Sequence, residues 1–292
     1  MKAKQLVAAL VMLFLNAEIA SAKLKVVTTF SVIEDLTRTI GTNNIEITNL
    51  VPAGEDPHLF EPKPSDIEKL KSADLIFANG LMFEPWLNKL VSSSKTKAKV
   101  SIISYKITPR QLIDDGHSVT DPHAWNSPRQ VLKYIDAIAE RLSSELPKDR
   151  EQFRNNSEKL KAEINEIYKK YQIAFDKIPK ARRAILTTHD AGFYLCEDFE
   201  IKSLSPIGLS TSEEFKTQDL TKLIDDIETY SIKTIFSEKS HHQLLSEKLA
   251  KKAKLSLGKP LYLDGLSIQS EPASTVTKML NYNLEQIKKS LE

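Results

Sequence analysis

Apolar residues return along this chain in two rhythms, short β-branched runs and longer stretches repeating every three or four positions. Leu-Lys-Val-Val-Thr-Thr at 24–29 predicts a strand, and Ser31 is placed to cap a helix carrying Ile33, Leu36 and Ile40. A second strand is expected at 45–51, stopped by Pro52 and Gly54. Strand, helix and strand within about 30 residues predict a right-handed parallel crossover. Pro64-Ser65-Asp66 starts the next helix, followed by a strand at 75–78, a helix around Trp86 and Leu90, and a strand at 100–103.

Asp114-Asp115-Gly116-His117 predicts a polar loop, and Pro128 starts a helix through Val131, Ile135, Ile138 and Leu142. Pro147 marks another start. The pattern that follows, to about 178, places Leu160, Ile164, Ile167, Tyr171, Ala174 and Ile178 on one stripe. About 30 helical residues span roughly 45 Å, the height of two stacked domains. Past Pro179 the alternation resumes, with strands expected at 184–188, 201–204, 234–237 and 261–263 and helices at 220–229 and 243–254. The fold class is therefore α/β, two lobes with central parallel-leaning sheets joined by one long rigid helix. The divisions expected are a lobe at 23–146, a linking helix at 147–180 and a lobe at 181–292, with no internal repeat.

The 292 residues carry 41 Lys and Arg against 39 Asp and Glu, a net charge of +2. That is too small a charge to point to nucleic acid or an anionic membrane. Residues 1–22 fit a cleaved signal peptide: basic Lys2 and Lys4, an apolar run from 6 to 15, and small residues Ala20-Ser21-Ala22. The apolar run is short of the ~20 residues a spanning helix needs. No cysteine follows the cleavage site, so a lipid anchor is not expected, and a soluble periplasmic protein is. The single cysteine, Cys196, reads as a small buried residue.

Candidate chemistry gathers where expected strands end, at His58, His123, His189 and Asp264. His58 and His123 each follow Asp-Pro, a rigid turn occurring twice in a chain of 6 histidines. Three imidazoles and one carboxylate, two from each lobe, make a tetrahedral set for an ion such as Zn²⁺ in the cleft between lobes. Asp56 and Asp121 are placed to orient the two imidazoles, and Trp125 to shield His123. His117 is a possible accessory contact; His241 and His242 read as capping or solvated residues. A secreted zinc hydrolase is the alternative, with Glu238 as its base, although His-Glu-x-x-His is absent.

Asp56-Pro-His, Asp121-Pro-His-Ala-Trp, Thr188-His-Asp-Ala-Gly-Phe, Phe236-Ser-Glu and Leu263-Asp-Gly-Leu follow one another in an order that resembles one family. It is that of the metal-binding solute-binding proteins of zinc and manganese ABC importers, and the resemblance covers the mature chain. It implies a two-lobed, non-enzymatic, monomeric carrier holding one ion on His58, His123, His189 and Asp264 for delivery to a membrane permease. Manganese- and iron-type members usually place Glu where this chain has His189. An imidazole there makes Zn²⁺ the first ion expected and Mn²⁺ the second. The long His- and acid-rich loop of many zinc-specific members is reduced here to Asp114, Asp115 and His117.

Overall fold

The computed structural model describes residues 22–114, 117–211, 220–238 and 243–292. The expected signal peptide, up to Ser21, and His241 and His242 lie outside them. In the first lobe β1 (Leu24–Phe30), α1 (Ser31–Gly41), β2 (Ile45–Val51), α2 (Pro64–Lys71), β3 (Leu75–Ala78), α3 (Leu87–Ser94) and β4 (Lys99–Ile102) follow in turn. Their sheet is parallel throughout, in the order β2-β1-β3-β4. β5 (Gln111–Asp114) and β6 (His117–Thr120) then pair antiparallel, with Leu112 opposite Val119, where the pattern predicts a loop. Their β-favouring residues flank an acidic tip, and the tip dominates the composition of the segment.

After α4 (Pro128–Glu145) and α5 (Arg150–Phe175), the second lobe repeats the scheme. It runs β7 (Ala184–Thr187), α6 (Phe193–Asp198), β8 (Lys202–Leu204), α7 (Leu220–Thr229), β9 (Thr234–Phe236), α8 (Gln243–Ala253) and β10 (Ser256–Leu257), and α9 (Val276–Leu291) closes the chain. The sheet order β10-β9-β7-β8, again parallel, puts the strands in the same relative order as in the first lobe. Each sheet therefore reverses direction of winding beside its first strand, and the crevice beyond the strand ends there is where such sheets present ligand groups.

Other expectations also differ from the structure. Residues 261–263 are not a strand; Leu261 makes one isolated bridge with Glu238, and β10 occupies the sheet edge. Ser31 does not cap α1, because β1 runs to Phe30 and Ser31 is already the first helical residue. Its hydroxyl instead accepts the Leu266 N–H at 2.9 Å. Helix α9 goes beyond the expected elements.

Two helices tie the lobes together. The 26 residues of α5 span about 39 Å. A 3₁₀ turn at Pro147–Asp149 precedes it, which makes it shorter than the apolar stripe suggests. Phe153, Leu160 and Ile164 are buried in the first-lobe core, Tyr171 and Phe175 in the second. Helix α9 divides the same way, Val276, Met279 and Leu280 on one side, Leu284, Ile287 and Leu291 on the other. The Tyr171 hydroxyl donates to the Asn281 carbonyl at 2.9 Å and links the pair. No described helix is long and apolar enough to cross a membrane.

A buried carboxylate joins the lobes at the start of α4. Ser127 caps that helix by accepting the Gln130 N–H at 3.0 Å. Its hydroxyl donates to Asp198 Oδ2 at 2.6 Å, and the Arg129 N–H reaches the same oxygen at 3.1 Å. Burial pushes the Asp198 carboxyl up from 3.8 to about 6, against the pull of these donors. A raised folded-state value means stability present below pH 3.8 and lost as pH rises through 6. Asp198→Asn, which keeps an acceptor without the charge, is expected to gain on the order of 2 kcal/mol over the wild type between pH 4 and pH 7. Urea unfolding at the two pH values measures it, and an unchanged difference would count against the buried charge.

Candidate metal centre

Each imidazole stands on a turn whose geometry is set locally. Pro57 opens a 3₁₀ turn at Pro57–Leu59, and Asp56 Oδ1 accepts the His58 N–H at 2.8 Å. Asp56 therefore grips the main chain of His58, and its Oδ2 accepts the Thr211 hydroxyl of the second lobe at 2.8 Å. Asp121 goes further, because Oδ1 takes both the His123 N–H at 3.0 Å and ring Nδ1 at 2.9 Å. That bond sets the tautomer of His123 and leaves Nε2 as the ligand atom. His189 follows β7 and forms a bridge with Ile207, and its Nδ1 bonds to Glu238. Asp264 follows Leu263 on the segment beyond β10.

These turns bring His58, His123, His189 and Asp264 together, with one ligand atom from each inside a circle where all lie within 4.8 Å of one another. His58 Nε2 stands 3.1 Å from His123 Nε2. Asp264 Oδ1 lies 3.4, 3.9 and 3.1 Å from Nε2 of His58, His123 and His189. Corners of a tetrahedron around a zinc-sized ion stand about 3.3 Å apart. Neither carboxylate oxygen of Asp264, nor His189 Nε2, finds a hydrogen-bond partner of good geometry, although all are buried. With its Nδ1–H given to Asp121, His123 offers a bare Nε2 lone pair to His58 Nε2 at 3.1 Å, close enough to share a proton or a cation. The donor set suits a borderline divalent cation.

The charges are arranged for the same occupant. Burial holds His123 below the usual imidazole value, and Asp121 only partly opposes it, so the ring is neutral with a free lone pair. Burial would also lower His189, but Asp264 and Glu238 outweigh it and hold the ring well above its ordinary value. Asp264 is correspondingly held well below the carboxylate range, mainly by His189 and then His58, despite burial. The carboxylates of Glu238 and Asp264 thus favour positive charge at His189, the charge a divalent cation supplies.

Several further residues shape the site, some of them in roles the sequence does not indicate. Glu238, the base a hydrolase would need, is buried and committed to the His189 ring. Asn126 Nδ2 donates to the Leu263 carbonyl at 2.8 Å and to the Ala191 carbonyl at 3.2 Å. Trp125 Nε1 reaches the same Leu263 carbonyl at 2.9 Å, and its ring meets His123 edge to face at 5.2 Å. Trp125 therefore shields His123, as expected, and with Asn126 also positions the residue before Asp264. Phe83 completes the apolar wall, 5.2 Å from His58 and 4.6 Å from Trp125 between ring centres. Its only sequence signal is an isolated aromatic after Gly80. Cys196 is buried in α6, its thiol pushed up to about 12 by burial. Among the other histidines, His117 opens β6.

Known proteins share this fold. The family model described as zinc-uptake complex component A, periplasmic, matches residues 26–290. The iron ABC transporter substrate-binding lipoprotein MtsA of Streptococcus pyogenes serotype M1 is 30% identical over 280 residues, 93% of this chain and 90% of its own. The metal ABC transporter substrate-binding lipoprotein ScbA of Streptococcus cristatus is 28% identical over 283 residues, 94% of this chain and 91% of its own. Mn-bound and Cd-bound structures of a periplasmic metal-binding protein from Candidatus Liberibacter asiaticus align with TM-scores of 0.85. They are 28% and 29% identical to this chain, covering 92% of it and 100% of theirs. Two lobes about a His₃Asp cluster are thus those of an extracytoplasmic substrate-binding component of a metal ABC transporter, a transport part and not an enzyme. The chain belongs to the zinc-uptake complex component A family.

Asn126→Ala leaves the buried Ala191 carbonyl without its donor and halves the hold on Leu263. The variant is expected to lose about 1–3 kcal/mol of stability. Urea unfolding in the presence of a chelator checks this, and wild-type stability would show that Asn126 is dispensable.

Proposed function

We propose that this protein binds a single divalent transition-metal ion through His58, His123, His189 and Asp264, and delivers it to a membrane permease of an ABC importer. Zn²⁺ is the first ion and Mn²⁺ the second. The observation that carries the reading is the set of three imidazole nitrogens and one carboxylate oxygen, buried but for a partly exposed His58, all within 4.8 Å of one another. Three nitrogens and one oxygen favour Zn²⁺, while a harder, more oxygen-rich set would favour Mn²⁺. Relatives are described as iron-transporting and as Mn-bound, so the donor set is the support for zinc here. The ion is cargo, so a complete protein shell suits capture, and no open position for a reacting water is needed.

The protein acts in this reading as a soluble periplasmic monomer built of lobes 23–146 and 181–292 about the link 147–180. The two separate sheets support that division, with α9 bracing both lobes from the far end of the chain. Relatives are described as lipoproteins, and the soluble form proposed here departs from that description. The sequence has one cysteine, Cys196, and it is buried in the second lobe. A secreted chain beginning at Lys23 with no acyl mass is the expected result of intact-mass measurement, and an acylated product would overturn the soluble form.

His123→Ala is expected to weaken Zn²⁺ binding more than about 100-fold with the fold retained, since three ligands cannot complete the tetrahedron. Calorimetric titration of chelator-stripped protein reads this directly, and wild-type affinity in the variant would remove the site. In Zn²⁺/Mn²⁺ competition the zinc form should dominate; equal occupancy would move the preference towards manganese. Because Glu238 and Asp264 raise the affinity of the His189 ring for protons, protons should compete with the ion there and be released on binding. Affinity then falls as pH falls, by up to about tenfold per unit. Titrations in buffers of different ionisation enthalpy measure the proton count, and a count of zero would contradict proton competition at His189.

A further inference from the structure

We propose that Arg110 is an interlobe latch, a positioning residue whose two-armed grip on Asp121 and Asp190 sets how fast the site opens and releases its ion. The proposal rests on the metal reading of His58, His123, His189 and Asp264 above. Arg110 stands in the first lobe just before β5. Its Nη1 lies 3.1 Å from Asp121 Oδ2, the oxygen opposite the one that orients His123. Its Nη2 lies 2.9 Å from Asp190 Oδ2, in the second lobe and next in sequence to His189. The guanidinium also stacks on the Phe193 ring of α6, 3.8 Å from its centre.

The backbone of Arg110 is held as firmly as its side chain. Its N–H donates to the Tyr194 hydroxyl at 2.8 Å, and that hydroxyl donates to the Asp121 carbonyl at 3.0 Å. The Asp121 N–H in turn donates to the Arg110 carbonyl at 3.0 Å. Asp121 is fully buried and the Arg110 side chain is 19% exposed, so water screens these contacts weakly. Arg110 touches none of the four candidate ligands. It connects the carboxylate that orients one imidazole to the neighbour of another in the opposite lobe.

Separating the lobes breaks the Asp190 and Phe193 contacts and leaves the Asp121 contact intact. The latch therefore opposes opening directly, and its loss acts on release more than on capture. A planar fork is required, because one ammonium cannot meet two carboxylates and an aromatic face in the same geometry.

The test follows Zn²⁺ transfer from full-length mature protein to a chromophoric chelator by stopped flow. Arg110→Gln and Asp190→Asn should each raise the release rate about tenfold, with uptake changed less than about threefold. Arg110→Lys should fail to restore slow release. The double variant should release no faster than Arg110→Gln alone, since that variant already removes the Asp190 contact. Asp190→Asn leaves Arg110 and Asp121 in place and carries the test if Arg110→Gln does not fold. Wild-type release rates in Asp190→Asn, additive effects in the double variant, or full rescue by Lys would each overturn the latch. Wild-type protein that takes up no Zn²⁺ would instead overturn the metal reading. Acrylamide quenching of buried Trp125 fluorescence in a Trp86→Phe background, in chelator-treated protein, reads the same opening without metal and should increase in both single variants.

Discussion

The docking of residues 121–127 into the second lobe is the constraint on which the rest of this structure depends. Trp125 and Asn126 donate to one carbonyl, that of Leu263, and so place Asp264. Ser127 donates to Asp198, and Tyr194 reaches back to the Asp121 carbonyl. In between stands His123, fully buried. A first-lobe segment thus shapes the second-lobe half of the cluster as well as its own. The price is burial of many polar groups, which the interface meets by pairing them across the lobes.

Charge follows the same logic. Each buried histidine ring is paired with a carboxylate, His123 with Asp121 and His189 with Glu238, so each ring has one nitrogen held and one presented. Asp264 adds a further negative charge at the centre. A site so rich in carboxylate is stable with a cation or with protons, and exchange between the two couples metal uptake to pH. Helices α5 and α9 each bury one end in each lobe, which restrains the lobes while the cleft between them changes. Identical strand order in the two sheets, without repeated sequence, shows that topology here is carried by the hydrophobic rhythm and not by particular residues.

The alternating strand and helix pattern was legible because each element buries one face, which leaves a period in the sequence. It predicts both sheets and the long helix within a few residues at the ends. It misleads at 261–263, where an apolar run is buried without joining the ladder beyond one bridge. It misses the hairpin at Gln111–Thr120, whose acidic tip hides two short strands, and it leaves α9 unassigned. Ser31 has the chemistry of a cap, yet a strand running directly into the helix turns it to another use.

By itself the sequence determined the periodic elements, the ligand types and the two Asp-Pro-His turns. Those turns are encoded within three residues, by a proline and by an aspartate reaching the N–H two positions on. Only the tertiary structure decided the long-range partners of the site. Glu238 meets His189 across 49 residues, Trp125 meets Leu263 across 138, and Asp56 bonds to Thr211 rather than acting as a local turn residue alone. Arg110 and Asp190 pair across the two lobes. The physical reason is range. A turn is closed by bonds between near neighbours and leaves a local mark, while a contact between lobes exists only once both sheets are formed and docked.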